Sequence, residues 1–313
     1  MKVALIGTGY IAGRHAAALA GAGVEIVGHV GRSGAEQAAA RWGGRAYRDT
    51  ADLLAREEVD AAWVCVPPAA HGEIEDALIA GGVPFYVEKP VGTDSAGPRR
   101  VETALRESGV MAGVGYYWRG MEVIPELRRM LAETPPHLVR AAWHGLVPPA
   151  PWWRVEAESG GQVVEQATHL FDLARFVVGE AEVVHAVGRR AALADHPGLD
   201  VATVSAATLA FDSGAVGVFT ATCVLHGTVD AGIEFFCEGR KLTLTSKVLR
   251  REDADGSHEV PVGRDPLVIA DERFLSAVRQ QDPTLLVCDY ADAVRTQELC
   301  CRVRDVANQP TSS

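Results

Sequence analysis

Val3-Ala4-Leu5-Ile6-Gly7-Thr8-Gly9-Tyr10-Ile11-Ala12 is the stretch that decides how the front of this chain folds. Four apolar residues of buried-strand character run into a G-x-G-x-x-A turn, and an Ala-rich stretch of helical character, Ile11 to Ala22, follows. In such a strand–turn–helix unit Gly7 permits the tight turn and Gly9 lets the backbone approach a pyrophosphate. Ala12 lets helix and strand pack closely. The helix start, with Thr8, Tyr10 and Ile11 around it, receives negative charge on its unsatisfied N–H groups. A lone match to this pattern is weak, but these flanks favour a dinucleotide site over a plain glycine turn.

Outward from that turn, short β-rich runs (3–6, 25–30, 61–66, 85–87 and 111–114) alternate with helical stretches such as Ala35 to Trp42. Continuous apolar strands separated by helices predict an α/β, doubly wound, mainly parallel sheet covered on both faces. The strand Phe85-Tyr86-Val87 ends in Glu88-Lys89-Pro90. Elsewhere this tripeptide is an ordinary surface turn. Here it sets an amine at the edge where such sheets bind ligands, and the Pro removes a backbone donor and permits a cis peptide. Glu88 and Lys89 are therefore placed beside a nicotinamide, with Lys89 touching the substrate. After the second strand, Val30-Gly31-Arg32-Ser33 lacks the carboxylate that holds the ribose 2′-hydroxyl of NAD. Arg32 can pair with a 2′-phosphate and Ser33 can donate to it, so NADP is the expected cofactor, with NAD possible and a merely solvated Arg32 the alternative. Pro67 and Pro68 lift the chain over the cofactor-facing edge; His71 either lines the nicotinamide pocket or caps a helix.

The bulk numbers exclude several classes. At 313 residues the chain accommodates two domains, and its 48% hydrophobic and 23% charged content are those of a soluble globular protein. A net charge of −11 argues against nucleic acid or an anionic membrane as partner. No segment reads as a secretion signal, and none reaches the ~18 apolar residues of a membrane span. The six Cys show no C-x-x-C pairing and read as buried thiols in a reducing compartment, which gives a cytoplasmic expectation. The scattered His residues offer no ligand set, so no metal is expected.

The second half opens with aromatics. Residues 116–154 hold Tyr116, Tyr117, Trp118, Trp143, Trp152 and Trp153, which read either as a cleft wall or as a hydrophobic plug. Trp118, Arg119, Trp153 and Arg154 are the candidate substrate contacts. Then Gly160-Gly161 leads into a helix expected to run to about Val178. At ~100° per residue Glu165, His169 and Asp172 share one face, with Val163, Ala167, Leu170, Phe171, Ala174 and Val178 on the other. Either that face is simply solvated, or His169 is a base positioned by the carboxylate four residues earlier. Strand-like runs then dominate (183–189, 201–211, 216–223, 233–237, 240–245), with Asp212-Ser213-Gly214 as a hairpin turn. Their second face is unusually apolar, which suggests a homodimer or homotetramer. Helices over about 266–280 and 289–307 close the chain.

Taken in order, Gly7 to Ala12, Pro67-Pro68 with His71, Glu88-Lys89-Pro90, and Gly160-Gly161 through His169 and Asp172 resemble the glucose–fructose oxidoreductase/inositol dehydrogenase/MocA (Gfo/Idh/MocA) family over nearly the whole chain. The resemblance implies a dinucleotide-binding Rossmann domain over 1–118. It implies an α+β C-terminal domain with an open, mainly antiparallel sheet over 119–313, for substrate binding and oligomerisation. It also implies hydride transfer between a nicotinamide and a hydroxyl or carbonyl carbon of a sugar, polyol or sugar derivative. Lys89 matches the family's active-site Lys and His169 its general acid/base. Glu165 stands where the family commonly has the shorter Asp, and Asp172 matches a position read as supporting. Two other readings stay open: a nicotinamide-binding sensor without turnover, and a reductase of a non-sugar carbonyl or diol.

Overall fold

The structure, a computed structural model, describes residues 1–227 and 230–309. The elements run as β1 (Lys2–Ile6), α1 (Tyr10–Gly21), β2 (Glu25–Val30), α2 (Ala35–Trp42), β3 (Arg45–Tyr47), α3 (Thr50–Leu54) and β4 (Ala61–Val64). α4 (Glu73–Ala80), β5 (Phe85–Val87), α5 (Ala96–Ser108), β6 (Ala112–Val114), α6 (Ile124–Glu133), β7 (Pro136–His144) and α7 (Glu156–Ser159) follow. Then come α8 (Thr168–Val178), β8 (Ala181–Arg189), β9 (Val204–Phe211), β10 (Val216–Thr222), β11 (Asp230–Cys237) and β12 (Arg240–Thr245). β13 (Val248–Asp253), β14 (Gly256–Pro261), α9 (Pro266–Gln280) and α10 (Tyr290–Ala307) complete the chain.

Two compact units result: Met1–Gly120 with Asp265–Val294, and Met121–Arg264 with Arg295–Ser313. The first is built on a six-stranded sheet of order β3-β2-β1-β4-β5-β6, all parallel. Its strands are buried on both faces, as their unbroken apolar character requires. Ala4, Ile6, Ala62, Val64, Phe85 and Val87 form one core, and Val3, Leu5, Trp63 and Tyr86 pack with Ala12, Ala16 and Leu19 of α1 in the other. The edge strand β3, absent from the sequence reading, has only three residues and carries an exposed Arg45.

The sequence division at 118/119 leaves α9 in the second half, whereas its packing places it in the first unit. Phe274 meets Trp63 edge-on at 5.2 Å and Tyr86 at 5.7 Å, each such pair adding about 0.5–1.5 kcal/mol beyond its buried area. Beside these rings lies a fully buried polar cluster. His15 on α1 bonds through Nδ1 to both oxygens of Asp271 on α9 (2.8 and 2.9 Å) and through Nε2 to Oε1 of Glu88 (3.0 Å). Trp63 Nε1 donates to Asp271 at 2.8 Å. No pattern in either sequence stretch announces a partnership across 256 residues.

The second unit is an eight-stranded, mainly antiparallel sheet of order β14-β13-β12-β11-β7-β10-β9-β8, in which β7 and β10 are the parallel pair. α8 covers the inner face, where Phe171 stacks on Phe219 at 4.5 Å. The hairpin at 212–214 forms as expected, with Gly214 at φ 87° and its N–H donating to Phe211 O at 2.8 Å. On β10 Phe219 and Ala221 point inward and are buried, while Val216 and Val218 are 47% and 37% exposed. β7, β13, β14 and α6 were not anticipated. β7 lies inside the aromatic segment, whose Trp content obscured its alternation of Val139, Ala141 and Trp143.

Burial works against charge on His15, but Asp271 and then Glu88 outweigh it and raise the imidazole to about 9. A folded pKa above the unfolded ~6.5 contributes stability that is complete below about pH 6.5 and lost as pH rises through about 9. Urea unfolding of the full chain should therefore show stability falling across that window, by roughly 3 kcal/mol. His15→Gln should start lower and lack the slope. A wild-type profile that stays flat from pH 6.5 to 9 rules out the buried imidazolium.

Candidate active site

In the first unit the candidate residues collect at the C-terminal edge of the sheet, where the strand order reverses between β1 and β4. This is where open α/β sheets take ligands. Gly7 leaves β1 at φ 112°, and a Cβ there would lie 2.0 Å from the Cys65 carbonyl at the end of β4. No side chain fits between these two strand ends. Gly9 is the N-cap of α1, without a side-chain cap, and a Cβ on it would meet nothing within 4 Å. The start of α1 thus carries no side-chain cap and is bordered by Thr8 and a Tyr10 that is 84% exposed. Ile11 and Ala12 follow in the first turn of α1, Ala12 packed into the core. A cavity of about 560 Å³ opens beside the turn, lined by Gly7, Thr8, Gly9, Gly34 and Arg41 among others. These features fit a pyrophosphate at the helix start. A larger cavity, about 990 Å³, lies at the other end of the strands beside Pro84 and Met111, away from this chemistry.

The loop after β2 is tied to the same turn. Thr8 Oγ1 donates to Ser33 O at 2.6 Å, and a Cβ on Gly31 would sit 2.7 Å from the Thr8 side chain. Arg32 and Ser33 are both exposed there. β4 stops at Val64, two residues sooner than expected. Cys65 still bonds back to Ile6 O (2.6 Å), then Pro67 and a buried Pro68 turn the chain into a short 3₁₀ segment. At the end of β5 the Lys89–Pro90 peptide is cis, and Lys89 leaves the sheet two strands from Gly7.

Several expected contacts are placed elsewhere. Glu88, assigned to the cofactor, turns inward to His15 and accepts from the Lys89 N–H at 3.2 Å. His71 sits just before α4 with Nδ1 2.6 Å from Glu75, whose carboxylate also accepts from Gly72 N at 2.5 Å and so caps that helix. Burial would raise the Glu75 carboxyl, but His71 and the helix-start N–H groups bring it below its usual range. Trp118 and Arg119, assigned to substrate, are interior to the first unit. Arg119 is 6% exposed and ion-paired with Asp292 on α10, because a buried guanidinium needs a carboxylate.

In the second unit, Gly160 and Gly161 adopt left-handed backbone (φ 78° and 84°), and the chain then enters a π-turn over Val163–Ala167 before α8. The expected regular helix is thus interrupted at Glu165, and the 100° stripe does not carry through. Such bulges redirect side chains and concentrate at functional sites. Glu165 accepts from Trp153 Nε1 at 2.7 Å, so the buried Trp153 holds the carboxylate rather than lining a cleft; Arg154 beside it is half-buried. His169 is 3% exposed and stacks on Trp143 (6.0 Å, 23°), a pairing the sequence reading did not draw. Its Nδ1 is buried. Asp172 is fully buried and accepts from Thr296 Oγ1 at 2.8 Å, with Arg175 donating to the same hydroxyl at 2.6 Å, so it ties α8 to α10. Among the described residues no group of three His, Cys, Asp or Glu is arranged to hold a metal, and no helix is long and apolar enough to cross a membrane.

Comparison with known proteins agrees with this fold. Residues 1–116 match the Gfo/Idh/MocA model described as an oxidoreductase family with an NAD-binding Rossmann fold, and residues 134–243 match the Gfo/Idh/MocA C-terminal domain. The chain is 25% identical over 313 residues to 4-carboxy-2-hydroxymuconate-6-semialdehyde dehydrogenase of Sphingobium, covering 94% of this chain and 96% of that protein. It is 34% identical over 151 residues to inositol 2-dehydrogenase of Paracoccus denitrificans, covering 45% of each. Among solved structures, UDP-N-acetylglucosamine 3-dehydrogenase from Acidithiobacillus ferrooxidans shares the fold at a TM-score of 0.84 and 23% identity, over 98% of this chain and 97% of that one.

Proposed function

The chain belongs to the Gfo/Idh/MocA family of NAD(P)-binding oxidoreductases, and on that footing we propose that it is a dehydrogenase/reductase of a sugar, polyol or sugar derivative, with NADP preferred. The observation that carries this reading is the uncapped start of α1 and the Lys89 segment on one sheet edge, either side of the β1/β4 reversal. A bound nicotinamide supplies the hydride acceptor or donor. Gly7 to Ala12 would hold its pyrophosphate, and Arg32 with Ser33 a ribose 2′-phosphate. Lys89 donates a hydrogen bond to the reacting oxygen and stabilises negative charge developing there. His169 takes the hydroxyl proton in oxidation and returns it in reduction. Glu165, held by Trp153, orients the substrate or His169 from one turn earlier.

A general acid/base is worth about 10²–10⁴-fold. Lys89→Ala and His169→Ala should each lower kcat at least about a hundredfold while far-UV dichroism stays unchanged. The assay is NADPH absorbance against polyols, sugars, keto-sugars, diols and a carboxylated semialdehyde. Near-normal turnover in either variant removes that residue from the mechanism, turnover confined to the semialdehyde favours the non-sugar reading, and binding without any turnover favours a sensor.

For the cofactor, kcat/KM should be higher with NADP than with NAD. Arg32→Ala should raise KM for NADP about tenfold, as loss of one charge-assisted contact implies, with little effect on NAD. Equal or better use of NAD by the wild type defeats the Arg32 assignment.

The exposed Val204, Val216 and Val218 on the outer face of the second unit's sheet support a homodimer or homotetramer formed through that face. Light scattering at micromolar concentration should give at least twice the 33.3 kDa chain mass. A monomer mass overturns it.

A further inference from the structure

We infer that Glu88, clamped by His15, is the positioning residue for Lys89: its carboxylate holds the backbone from which Lys89 departs and keeps a negative charge close to the ammonium. The inference rests on the proposed role of Lys89. The links from Asp271 through His15 and Glu88 to the Lys89 backbone N–H are contacts within the first unit. Glu88 is buried; one oxygen receives His15 Nε2 at 3.0 Å and the other the Lys89 N–H at 3.2 Å. His15 cannot release Glu88 without losing Asp271 as well, since its ring spans both carboxylates. Asp271 is in turn fixed by Trp63. Gly115, beside the strand end, leaves room for the carboxylate and nothing more, because a Cβ there would lie 2.7 Å from Glu88 Oε1.

With an imidazolium between them, the two carboxylates leave one net negative charge in this cluster. The Tyr117 phenol senses the arrangement. Burial is the main cause of its raised pKa, Lys89 opposes that rise and Glu88 adds to it, with Arg14 and Asp265 as the further charges around it. Neutralising Glu88 leaves the imidazolium of His15 paired with Asp271, which is why the shape-preserving substitution is the informative one.

The chain has four lysines, at 2, 89, 241 and 247, so reductive methylation of the full protein with ¹³C-formaldehyde gives few enough NMR signals to titrate Lys89 directly, without turnover. Two variants perturb the contact in opposite ways. Glu88→Gln keeps shape and removes charge; Gly115→Ala keeps every ionisable group and displaces the carboxylate. The Lys89 midpoint should fall by about one pH unit in Glu88→Gln, the size expected on losing a neighbouring opposite charge. It should fall by less in Gly115→Ala, and the Lys2 signal should stay in place in both. Unchanged Lys89 midpoints in folded variants overturn the inference. If Glu88→Gln does not fold, Gly115→Ala decides alone. A shifted midpoint with undiminished turnover upholds the positioning and sinks the catalytic role of Lys89, so the two failures are distinguishable.

Discussion

The ring of His15 has carboxylates at both nitrogens and no access to water, so each of the three side chains depends on the others for its partner. That constraint ties α1, the end of β5 and α9 into one unit. Replacing His15 leaves two buried carboxylates without their counter-charge, a defect worth several kcal/mol against a typical domain stability of about 5–15 kcal/mol. The same cluster sits directly behind Glu88-Lys89, where the charged residue proposed for chemistry begins. Stability and the proposed site therefore share an anchor in the first unit.

The second unit solves a related problem by different means. His169 is almost wholly enclosed, by Trp143 on one side and by the core of α8 around it. The π-turn before α8 breaks helical phase where Glu165 must reach Trp153 while His169 stays under Trp143. The polar residues on the rest of α8 bond within the protein. Asp172, Arg175 and Thr296 form a chain whose donors and acceptors serve one another, as burial demands.

Local signals proved reliable where one residue's own backbone or neighbours decide its role. The strand–turn–helix at Gly7, the two glycines before the His169 helix and the hairpin at 212–214 were all legible, because a left-handed φ or a close strand crossing restricts a position to glycine. Arg119 and Glu88, read as substrate and cofactor contacts, turn instead to partners that the linear pattern did not single out. Asp292 lies 173 residues from Arg119, and His15 lies 73 from Glu88. Only Glu75, four residues after His71, was within reach of a spacing argument.

Composition and pattern by themselves thus determined the parallel first sheet, the glycine turn that opens it and the residue types available for proton and charge chemistry. Those properties follow from short-range sterics and from the period of apolar side chains. Tertiary structure alone decided which charges are interior, which unit α9 joins and which way Glu88 faces. The reason is that a buried charge is tolerated only beside its counter-charge, and no stretch of chain carries information about a partner that folding alone brings near.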